Sequence, residues 1–175
     1  MTEQGFTTCT NALSLFHKHY YTSTKAVRHL WCAIYVDDML LFADDQEDLN
    51  AFTSKLCQRF KMEDLGRPKL CLSIQFEVSS KFDRVQLNQA HYIDHLLSIF
   101  NMVDAKPKST PLPVGHKDRG TISDPDHQNP AAPFRALVGS LLYISCKTRP
   151  DIACAVSMLS RHMKNFTQED FADAK

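Results

Sequence analysis

The sequence has no excess charge of either sign and no long hydrophobic run. Acidic and basic residues number 20 each, so no overall positive field indicates nucleic-acid binding, although a local groove can still provide one. No apolar run approaches the roughly 20 residues that span a bilayer, and no charged and apolar leader opens the chain. We therefore expect an intracellular protein, not a secreted one, with no membrane partner.

The sequence also lacks paired cysteines. Its six cysteines are Cys9, Cys32, Cys57, Cys71, Cys146 and Cys154. Without a Cys-x-x-Cys pair or a secretory leader, neither a disulfide framework nor a zinc knuckle is expected, and we interpret them as reduced, mostly packed thiols. With 175 residues, 43% of them hydrophobic, the chain can bury a core and should not be disordered throughout.

Two adjacent carboxylates, Asp37 and Asp38, lie between apolar, strand-forming runs at residues 30–36 and 39–42. Asp tolerates turn conformations, whereas branched and aromatic residues suit a half-buried pleated surface. The pattern predicts a β-hairpin with both acids at its tip. Rigid paired carboxylates suit a divalent cation, and an ordinary Asp-Asp turn is the alternative.

The residues after this hairpin predict a helix. Asp44 or Asp45 caps its start, and Gly66 with Pro68 ends it. Asp44, Asp45, Glu47 and Asp48 lack the Gly and terminal Glu of a calcium loop, so helix capping accounts for them better. The apolar face of this helix comprises Leu49, Phe52, Leu56 and Phe60.

Two extended runs at residues 69–78 and 84–87, joined by a polar turn, predict a second hairpin. Asn88 is then expected to cap an amphipathic helix, and Asn101 suits its left-handed exit. The apolar residues of that helix are Tyr92, Ile93, Leu96, Leu97 and Phe100.

Residues 107–133 contain six of the eight prolines and predict an extended connector. Helical spacing resumes at Phe134, and Thr148 and Thr167 are expected to cap two further helices. The apolar positions of the helix that begins at Phe134 and of the helix capped by Thr148 are Phe134, Leu137, Val138, Leu141, Leu142, Ile152, Ala155, Val156, Leu159 and Met163. Together these elements predict an α+β protein with three segments: 1–106, 107–133 and 134–175.

A series of short motifs runs along most of the chain in a fixed order. They are Gly5-Phe6, Tyr35-Val-Asp-Asp38, Asp64-Leu-Gly66, Gln89 with Tyr92, Ala105-Lys-Pro107, Thr110-Pro-Leu-Pro113, Arg135 with Val138-Gly-Ser140, Thr148-Arg-Pro-Asp-Ile152 and Leu159-Ser-Arg161. In order and spacing this series resembles the reverse transcriptases of copia-like LTR retrotransposons. The resemblance implies a partial palm and thumb at 1–106, with an antiparallel sheet and a packed helix, and a helical connection segment at 134–175 leading towards an RNase H domain.

The resemblance implies an RNA-directed DNA polymerase, in which two Mg²⁺ ions about 3.5 to 4 Å apart serve nucleotidyl transfer. Asp37 is then the better candidate for a direct metal ligand and Asp38 for a second or supporting ligand. Tyr35 and Val36 are expected near the primer end. Further residues in the vicinity of primer or nucleotide are Lys69, Leu72 and Ser73. Lys69 has a plainer alternative as a solvated lysine beside a turn.

In this family the fingers and a palm strand with another metal-binding Asp lie upstream, and none of the residues before Tyr35 resembles that strand. We therefore expect a fragment that does not polymerise alone. The implied partners are an RNA or DNA template-primer, dNTP and the other polyprotein domains, namely fingers, RNase H and integrase. The implied compartment is a cytoplasmic virus-like particle or the nucleus.

Three positions depart from the family pattern. Leu72-Ser73 stands where a Leu-Gly pair is usual, and Ser restricts a backbone that Gly leaves free. Ala12-Leu13 replaces a usual Asp-Pro, and Asp170-Phe171 a usual His-Trp. These departures keep open a different function, a non-catalytic transposon remnant acting as a protein-binding module. An unrelated nucleic-acid-binding fold is a third option, which the balanced charge does not favour.

Two further groups of residues have both a functional and a plain interpretation. His91 and His95 have a spacing that can bind zinc on a helix, but they lie off its apolar face and a solvated pair is the alternative. The cations of the connector can contact template phosphates or simply be solvated. They are Lys106, Lys108, Lys117 and Arg119.

Overall fold

The computed structural model describes residues 1, 4–21, 24–81, 83–113, 115–116 and 133–175. The chain divides into two compact units, Met1–Cys71 and Leu72–Lys175. Both contain antiparallel strands and helices, which confirms the predicted α+β class. Most of the connector lies outside the described residues, and the predicted boundaries at 106 and 134 remain predictions.

The first unit contains a four-stranded antiparallel sheet whose strands are adjacent in chain order. They are β1 (Thr7–Cys9), β2 (Ala12–Tyr21), β3 (Val27–Tyr35) and β4 (Asp38–Ala43). The β3–β4 hairpin confirms the sequence prediction, whereas β1 and β2 were not predicted. β1 and β4 are the edge strands, so each has one edge without a strand partner among the described residues.

Helix α1 (Gln46–Arg59) follows the sheet, and its N-cap is Asp45. The Asp45 carboxylate accepts a hydrogen bond from the Glu47 amide at 2.8 Å. Asp44, the alternative cap, instead accepts a hydrogen bond from the backbone amide of His29 at 2.8 Å. The two neighbouring acids therefore have different partners: Asp45 caps the helix, and Asp44 binds the backbone of β3.

The predicted end of α1 at Gly66 and Pro68 is wrong. The helix ends at Arg59, because Phe60 adopts an extended conformation with φ −125°. Phe60 is also 52% exposed, so it does not belong to the packed face on which it was predicted. Phe6 of the N-terminal segment belongs to the core instead, and its ring lies 5.0 Å from the ring of Phe52.

One face of the sheet packs against α1, and we call it the inner face. The buried residues of this core are Phe6, Leu30, Cys32, Phe52 and Leu56. Side chains alternate across a strand, so the neighbours of Leu30 and Cys32 in β3 belong to the opposite, outer face. Trp31 on that outer face is 36% exposed.

A short strand, β5 (Leu70–Cys71), ends the first unit, and β6 (Ile74–Val78) with β7 (Val85–Asn88) opens the second. β6 and β7 are antiparallel, which confirms the predicted second hairpin. The predicted run 69–78 is nevertheless broken, because Leu72 and Ser73 have φ values of +50° and +60°.

Helix α2 (Ala90–Ile99) is capped differently from the prediction. Gln89 holds the N-cap position and makes no side-chain capping bond, while Asn88 is the last residue of β7. Asn88 still supplies the chemistry of a cap, since its side-chain oxygen accepts from the Ala90 amide at 3.2 Å. The exit is as predicted, with Asn101 at φ +54°.

Three helices follow the connector, with a 3-10 turn at Pro150–Ile152. They are α3 (Phe134–Ser145), α4 (Ala153–Ser160) and α5 (Gln168–Ala174). Thr148 does not cap this segment as predicted, because Arg149 holds the N-cap position of the turn. Thr167 does cap α5 in a capping box with Asp170, as predicted.

The helices of the second unit share one apolar core. Its buried members are Leu96, Phe100, Phe134, Leu137, Val138, Ile144, Val156, Leu159, Phe166 and Ala174. Most of these positions were predicted from helical spacing, but Leu97 is 36% exposed although it was assigned to the apolar face of α2. In the described part of the chain, no helix combines the length and the apolar character needed to cross a membrane.

Candidate functional site

The connection between β3 and β4 is a tight turn formed by Val36 and Asp37. Tyr35 and Asp38 pair across its base. Asp38 is therefore the first residue of β4, whereas the prediction placed it at the tip beside Asp37. The carboxylate turn, as we call residues 35–38, holds one acid in the turn and one on the strand.

Val36 adopts a left-handed conformation with φ +53°. A β-branched residue rarely has a positive φ, and such a conformation costs about 1 to 3 kcal/mol when the surrounding structure imposes it. The paired strands on both sides impose it here, since β3 and β4 are in register up to Tyr35 and Asp38. The turn therefore fixes the backbone that carries both carboxylates.

Strand register determines which face of the sheet Asp38 belongs to. Directly paired residues point to the same side, so Asp38 shares the outer face with Tyr35. The next residues, Ile34 and Met39, pack against the inner core instead. Asp38 therefore lies on the side of the sheet opposite to α1.

The carboxylate turn is open to solvent. Tyr35 is 60% exposed and Val36 is 81% exposed, and both carboxylates are exposed as well. Carboxylate oxygens are the ligands that hard divalent cations prefer. Asp37 and Asp38 therefore supply the type of ligand that such an ion takes. No group of three or more His, Cys, Asp or Glu side chains within the described ranges is placed to hold a metal.

Cys71, the last residue of β5, lies close enough to Asp38 to be affected by its charge. Burial raises the pKa of the Cys71 thiol, and the negative charge of Asp38 raises it further. Lys69, two residues earlier, is exposed. No sequence motif had indicated that Cys71 is affected by Asp38.

Leu72 and Ser73, the other residues predicted near the primer, form a left-handed turn in the second unit. The Tyr143 hydroxyl donates a hydrogen bond to the Leu72 carbonyl. The Tyr143 ring also makes an edge contact with the ring of Tyr92 at 5.6 Å. A turn that is costly for Ser is therefore anchored by a side chain of α3.

An ionic group that no sequence pattern indicated joins α1 to the sheet. The Arg28 guanidinium lies 3.0 Å from the Asp45 carboxylate and 2.9 Å from that of Asp48. Burial and a hydrogen bond to Asp48 raise the pKa of Tyr20 to about 12. The Tyr20 hydroxyl and then Arg28 lower the pKa of Asp48. These acids therefore have structural partners, in agreement with helix capping rather than calcium binding.

The remaining candidates are exposed or lie outside the described residues. His91 and His95 are exposed on α2, as expected of a solvated pair. Lys106 and Lys108 are exposed too, while Lys117 and Arg119 lie outside the described residues.

Comparison with known proteins gives the class of this chain. It belongs to the family described as reverse transcriptase (RNA-dependent DNA polymerase), whose model matches residues 1–114. No solved structure matches the chain.

The relatives identify the branch of the family. The chain is 35% identical over 147 residues to the Retrovirus-related Pol polyprotein from transposon TNT 1-94 of Nicotiana tabacum, covering 81% of this chain and 11% of the relative. It is 35% identical over 144 residues to the corresponding polyprotein from transposon RE1 of Arabidopsis thaliana, covering 80% and 9%. An uncharacterized mitochondrial protein of Arabidopsis thaliana is also 35% identical, over 142 residues, covering 81% and 57%. These matches confirm the resemblance to copia-like elements.

Proposed function

We propose that this chain is the part of a copia-like reverse transcriptase that carries two carboxylates of its metal site, Asp37 and Asp38. The observation that carries the proposal is a pair of adjacent, exposed carboxylates at the strained end of a hairpin, in a chain that the reverse transcriptase family model matches. In this proposal, the four-stranded sheet and α1 form the later part of the palm. The hairpin at Leu72-Ser73 is the primer grip, and the thumb extends to residue 106.

Each residue of the carboxylate turn has its own role in the proposal. Asp37 is a direct ligand of Mg²⁺ and Asp38 a second or supporting ligand. When bound, the two ions stabilise charge on the attacking primer oxygen and on the leaving pyrophosphate. Tyr35 shares the outer face with Asp38, so it orients the primer end beside the ligands. Val36 fixes the turn through its left-handed backbone.

We further propose that the 175-residue chain does not polymerise by itself. Mg²⁺ demands near-octahedral coordination by oxygen and gives up its water reluctantly, so two carboxylates make a weak site. No third ligand group accompanies them among the described residues. The chain spans 9% to 57% of the length of the relatives above. The remaining ligand, the fingers, RNase H and integrase therefore belong to a longer polyprotein, which acts on template-primer and dNTP.

Primer extension on an RNA template tests both parts of this proposal. We expect no incorporation by the 175-residue chain and template-directed incorporation by a longer polyprotein that contains it. In the longer enzyme, Asp37→Asn should lower the rate about a hundredfold or more, because it removes charge that acts on the transition state. The matched control is Asp94→Asn, which changes an exposed acid of α2 and should have no effect.

The two parts of the proposal, the inactivity of the short chain and the role of Asp37, can fail separately. Incorporation by the short chain that Asp37→Asn abolishes would overturn the proposed inactivity. Incorporation by the longer enzyme that is indifferent to Asp37→Asn would overturn the assignment of the metal ligand.

A non-catalytic protein-binding module is the second candidate, and the apolar residues exposed on the outer face favour it. Phe42 is 49% exposed and lies directly opposite Trp31. Manganese titration separates the two functions. A working site loses Mn²⁺ binding when either Asp37 or Asp38 is changed, whereas an idle turn shows only weak association that salt screens.

A further inference from the structure

Helix α3 reaches back to the turn that precedes β6. The helix begins at Phe134, beyond residues 1–114 that the family model matches. Its Tyr143 hydroxyl nevertheless donates a hydrogen bond to the Leu72 carbonyl, 71 residues earlier in the chain. The proposed function gives the Leu72-Ser73 turn a role at the primer and gives α3 none. This hydrogen bond therefore links a proposed primer-binding turn to a helix without an assigned task.

The Leu72-Ser73 turn has an unfavourable backbone. Leu72 and Ser73 have φ values of +50° and +60°, a region that residues with a Cβ atom rarely adopt. Glycine would adopt it without this cost. Both side chains are exposed, so burial gives the turn little support. A contact from outside the turn is therefore needed to hold it, and the Tyr143 hydroxyl makes one.

Tyr143 is itself held by its surroundings. The next residue of α3, Ile144, is 3% exposed and belongs to the apolar core of the second unit. The Tyr143 ring meets the ring of Tyr92 edge-on, with 81° between the two planes. Such edge contacts are a favoured arrangement of aromatic pairs. A side chain on a packed helix keeps its position better than one on a loop, so Tyr143 is a suitable support.

Two further hydrogen bonds join the same elements. The Gln75 side chain of β6 accepts from the His91 amide of α2 at 3.1 Å. The Thr148 hydroxyl, just after α3, donates to the side-chain oxygen of Gln89 at 2.8 Å. Gln89 is 2% exposed and directly precedes α2. Strand β6 is thus joined to α3 both through α2 and directly through Tyr143.

We propose that Tyr143 is a positioning residue for the polymerase reaction, which holds the Leu72-Ser73 turn in the place where it contacts the primer. This inference rests on the proposed function, in which that turn is the primer grip. Displacement of a reacting group by about 1 Å can lower a rate about a hundredfold, so the support of such a turn affects the chemical step. The functional polymerase unit then extends to α3.

Hydrogen exchange of the 175-residue chain tests the support without any polymerase activity. Tyr143→Phe keeps the ring and removes the hydroxyl donor. It should speed amide exchange at residues 72–76 about fivefold, the change expected from the net loss of one hydrogen bond. Exchange at residues 137–142 should stay the same, which shows that the core is intact. The matched control is Tyr21→Phe, the same change at a tyrosine that is 72% exposed, and it should leave residues 72–76 unaltered.

Single-turnover primer extension by the longer polyprotein tests the role in catalysis. Tyr143→Phe should lower the maximal rate about tenfold, because a looser turn aligns the primer end less often. The dNTP concentration that gives half of this rate should change less than about twofold, since the nucleotide contacts are kept. A purely structural defect would instead lower the amount of active enzyme. Tyr21→Phe should leave the rate unchanged.

Ser73→Gly supplies a rescue. Glycine takes the left-handed backbone without support, so the loss caused by Tyr143→Phe should be smaller when Ser73→Gly is already present. The two changes are compared singly and together, and an equal loss in both backgrounds would show that Tyr143 does not act through the turn.

Two other results would overturn the inference. One is unchanged exchange at residues 72–76 in Tyr143→Phe. The other is an unchanged maximal rate in a longer enzyme that Asp37→Asn inactivates, which would leave the proposed function intact. If the wild-type longer enzyme does not incorporate, the proposed function fails and the catalytic role of Tyr143 fails with it. The exchange result still decides whether Tyr143 holds the turn.

Discussion

The two units of this chain use their family motifs in opposite ways. In the first unit, the motif residues Tyr35 and Val36 are 60% and 81% exposed at the carboxylate turn. In the second unit, the motif residues Gln89 and Val138 are 2% and 0% exposed. A motif on the surface is available for a ligand, whereas a buried one serves packing. One resemblance therefore covers an exposed turn in the first unit and a buried core in the second.

Two motifs of the second unit, one at Gln89 and one at Thr148, meet in a side-chain hydrogen bond. The Thr148 hydroxyl donates to the side-chain oxygen of Gln89 at 2.8 Å, across 59 residues of chain. Tyr92, three residues after Gln89, contacts the ring of Tyr143 in α3. These contacts join α2 to α3 and to the segment before α4. The order of the motifs along the chain thus becomes a set of contacts in the folded unit.

The cores of the two units differ in size as well. Among the described residues, the buried apolar cluster has ten members in the second unit and five in the first. Burial of apolar surface is the main favourable term in folding. We therefore expect substitutions in the second core to have the largest effects on stability, and the strained or charged features of both units to have smaller ones.

The largest effect is expected from Phe134→Ala in the second unit. Phe134 is fully buried and its ring stacks on Phe166 at 4.7 Å. Its truncation should lower the free energy of unfolding by about 3 to 5 kcal/mol. Urea unfolding followed by circular dichroism measures this. The control in the first unit is Phe60→Ala, at a 52% exposed position, which should change stability by no more than about 0.5 kcal/mol. Equal losses would contradict the contrast between the units.

A smaller loss is expected from Asp170→Ala, which tests whether a departure from the family pattern is harmful. The Asp170 carboxylate accepts hydrogen bonds from the Thr167 amide at 2.8 Å and hydroxyl at 2.9 Å. Losing this cap should cost about 1 to 2 kcal/mol in thermal or urea unfolding. Asp170→Asn keeps a side-chain acceptor and should lose less. If Asp170→Ala is neutral, the capping box does not stabilise α5.

Glycine at the two left-handed turns should stabilise both units by about 0.5 to 1 kcal/mol, since relief of backbone strain exceeds the added entropy of the unfolded chain. The changes are Val36→Gly in the first unit and Ser73→Gly in the second, at φ +53° and +60°. Val36→Ala and Ser73→Ala keep the Cβ atom and should show no such gain. A loss of stability with glycine would show that these side chains contribute more than the strain costs.

The smallest effect is expected from the partly buried ionic group around Arg28, and it should depend on pH. Because the pKa of Asp48 is lowered in the folded state, its carboxylate stabilises the fold at pH values above the ordinary pKa of 3.8. This stabilisation is lost as the pH falls through the pKa of the folded state. Because the pKa of Tyr20 is raised in the folded state, its neutral hydroxyl stabilises the fold at pH values below the ordinary pKa of 10.0. This stabilisation is lost as the pH rises through the folded-state pKa of about 12. Trp31 fluorescence follows unfolding of the first unit at each pH. Asp48→Asn should flatten the acidic limb and reduce the alkaline limb only in part, because burial is the larger cause of the raised pKa of Tyr20. An unchanged acidic limb would rule out Asp48 as its cause.

Local signals predicted the parts of the fold that depend on neighbours in sequence. Alternation of apolar residues around Asp37 and Asp38 gave the β3–β4 hairpin, and Thr167 with Asp170 gave the start of α5. The errors arose where the decisive partner is distant. Thr148 was expected to cap a helix, but its hydroxyl donates a hydrogen bond to Gln89, and no local pattern indicates a contact across 59 residues. Phe60 likewise lost its expected place in the core when the helix ended at Arg59.

The candidate site was predictable in its residues but not in its geometry. Adjacency in sequence guaranteed that Asp37 and Asp38 would be close. Register alone shows that Asp38 opens β4 and faces the same side as Tyr35. The left-handed backbone of Val36 runs against the preference of its residue type, so no propensity could predict it. The effect of Asp38 on Cys71 depends on β5, which follows β4 only after helix α1.

The edge position of β4 has a consequence for the kinetics of the purified chain. Among the described residues, no strand pairs with the edge of β4 that faces away from β3. The backbone N–H and C=O groups along this edge can therefore pair with the same edge of a second copy. Pairing of two edges is a second-order process, and its rate rises with the square of protein concentration. Dilute samples should therefore remain monomeric far longer than concentrated ones, and early light-scattering rates should show this quadratic dependence.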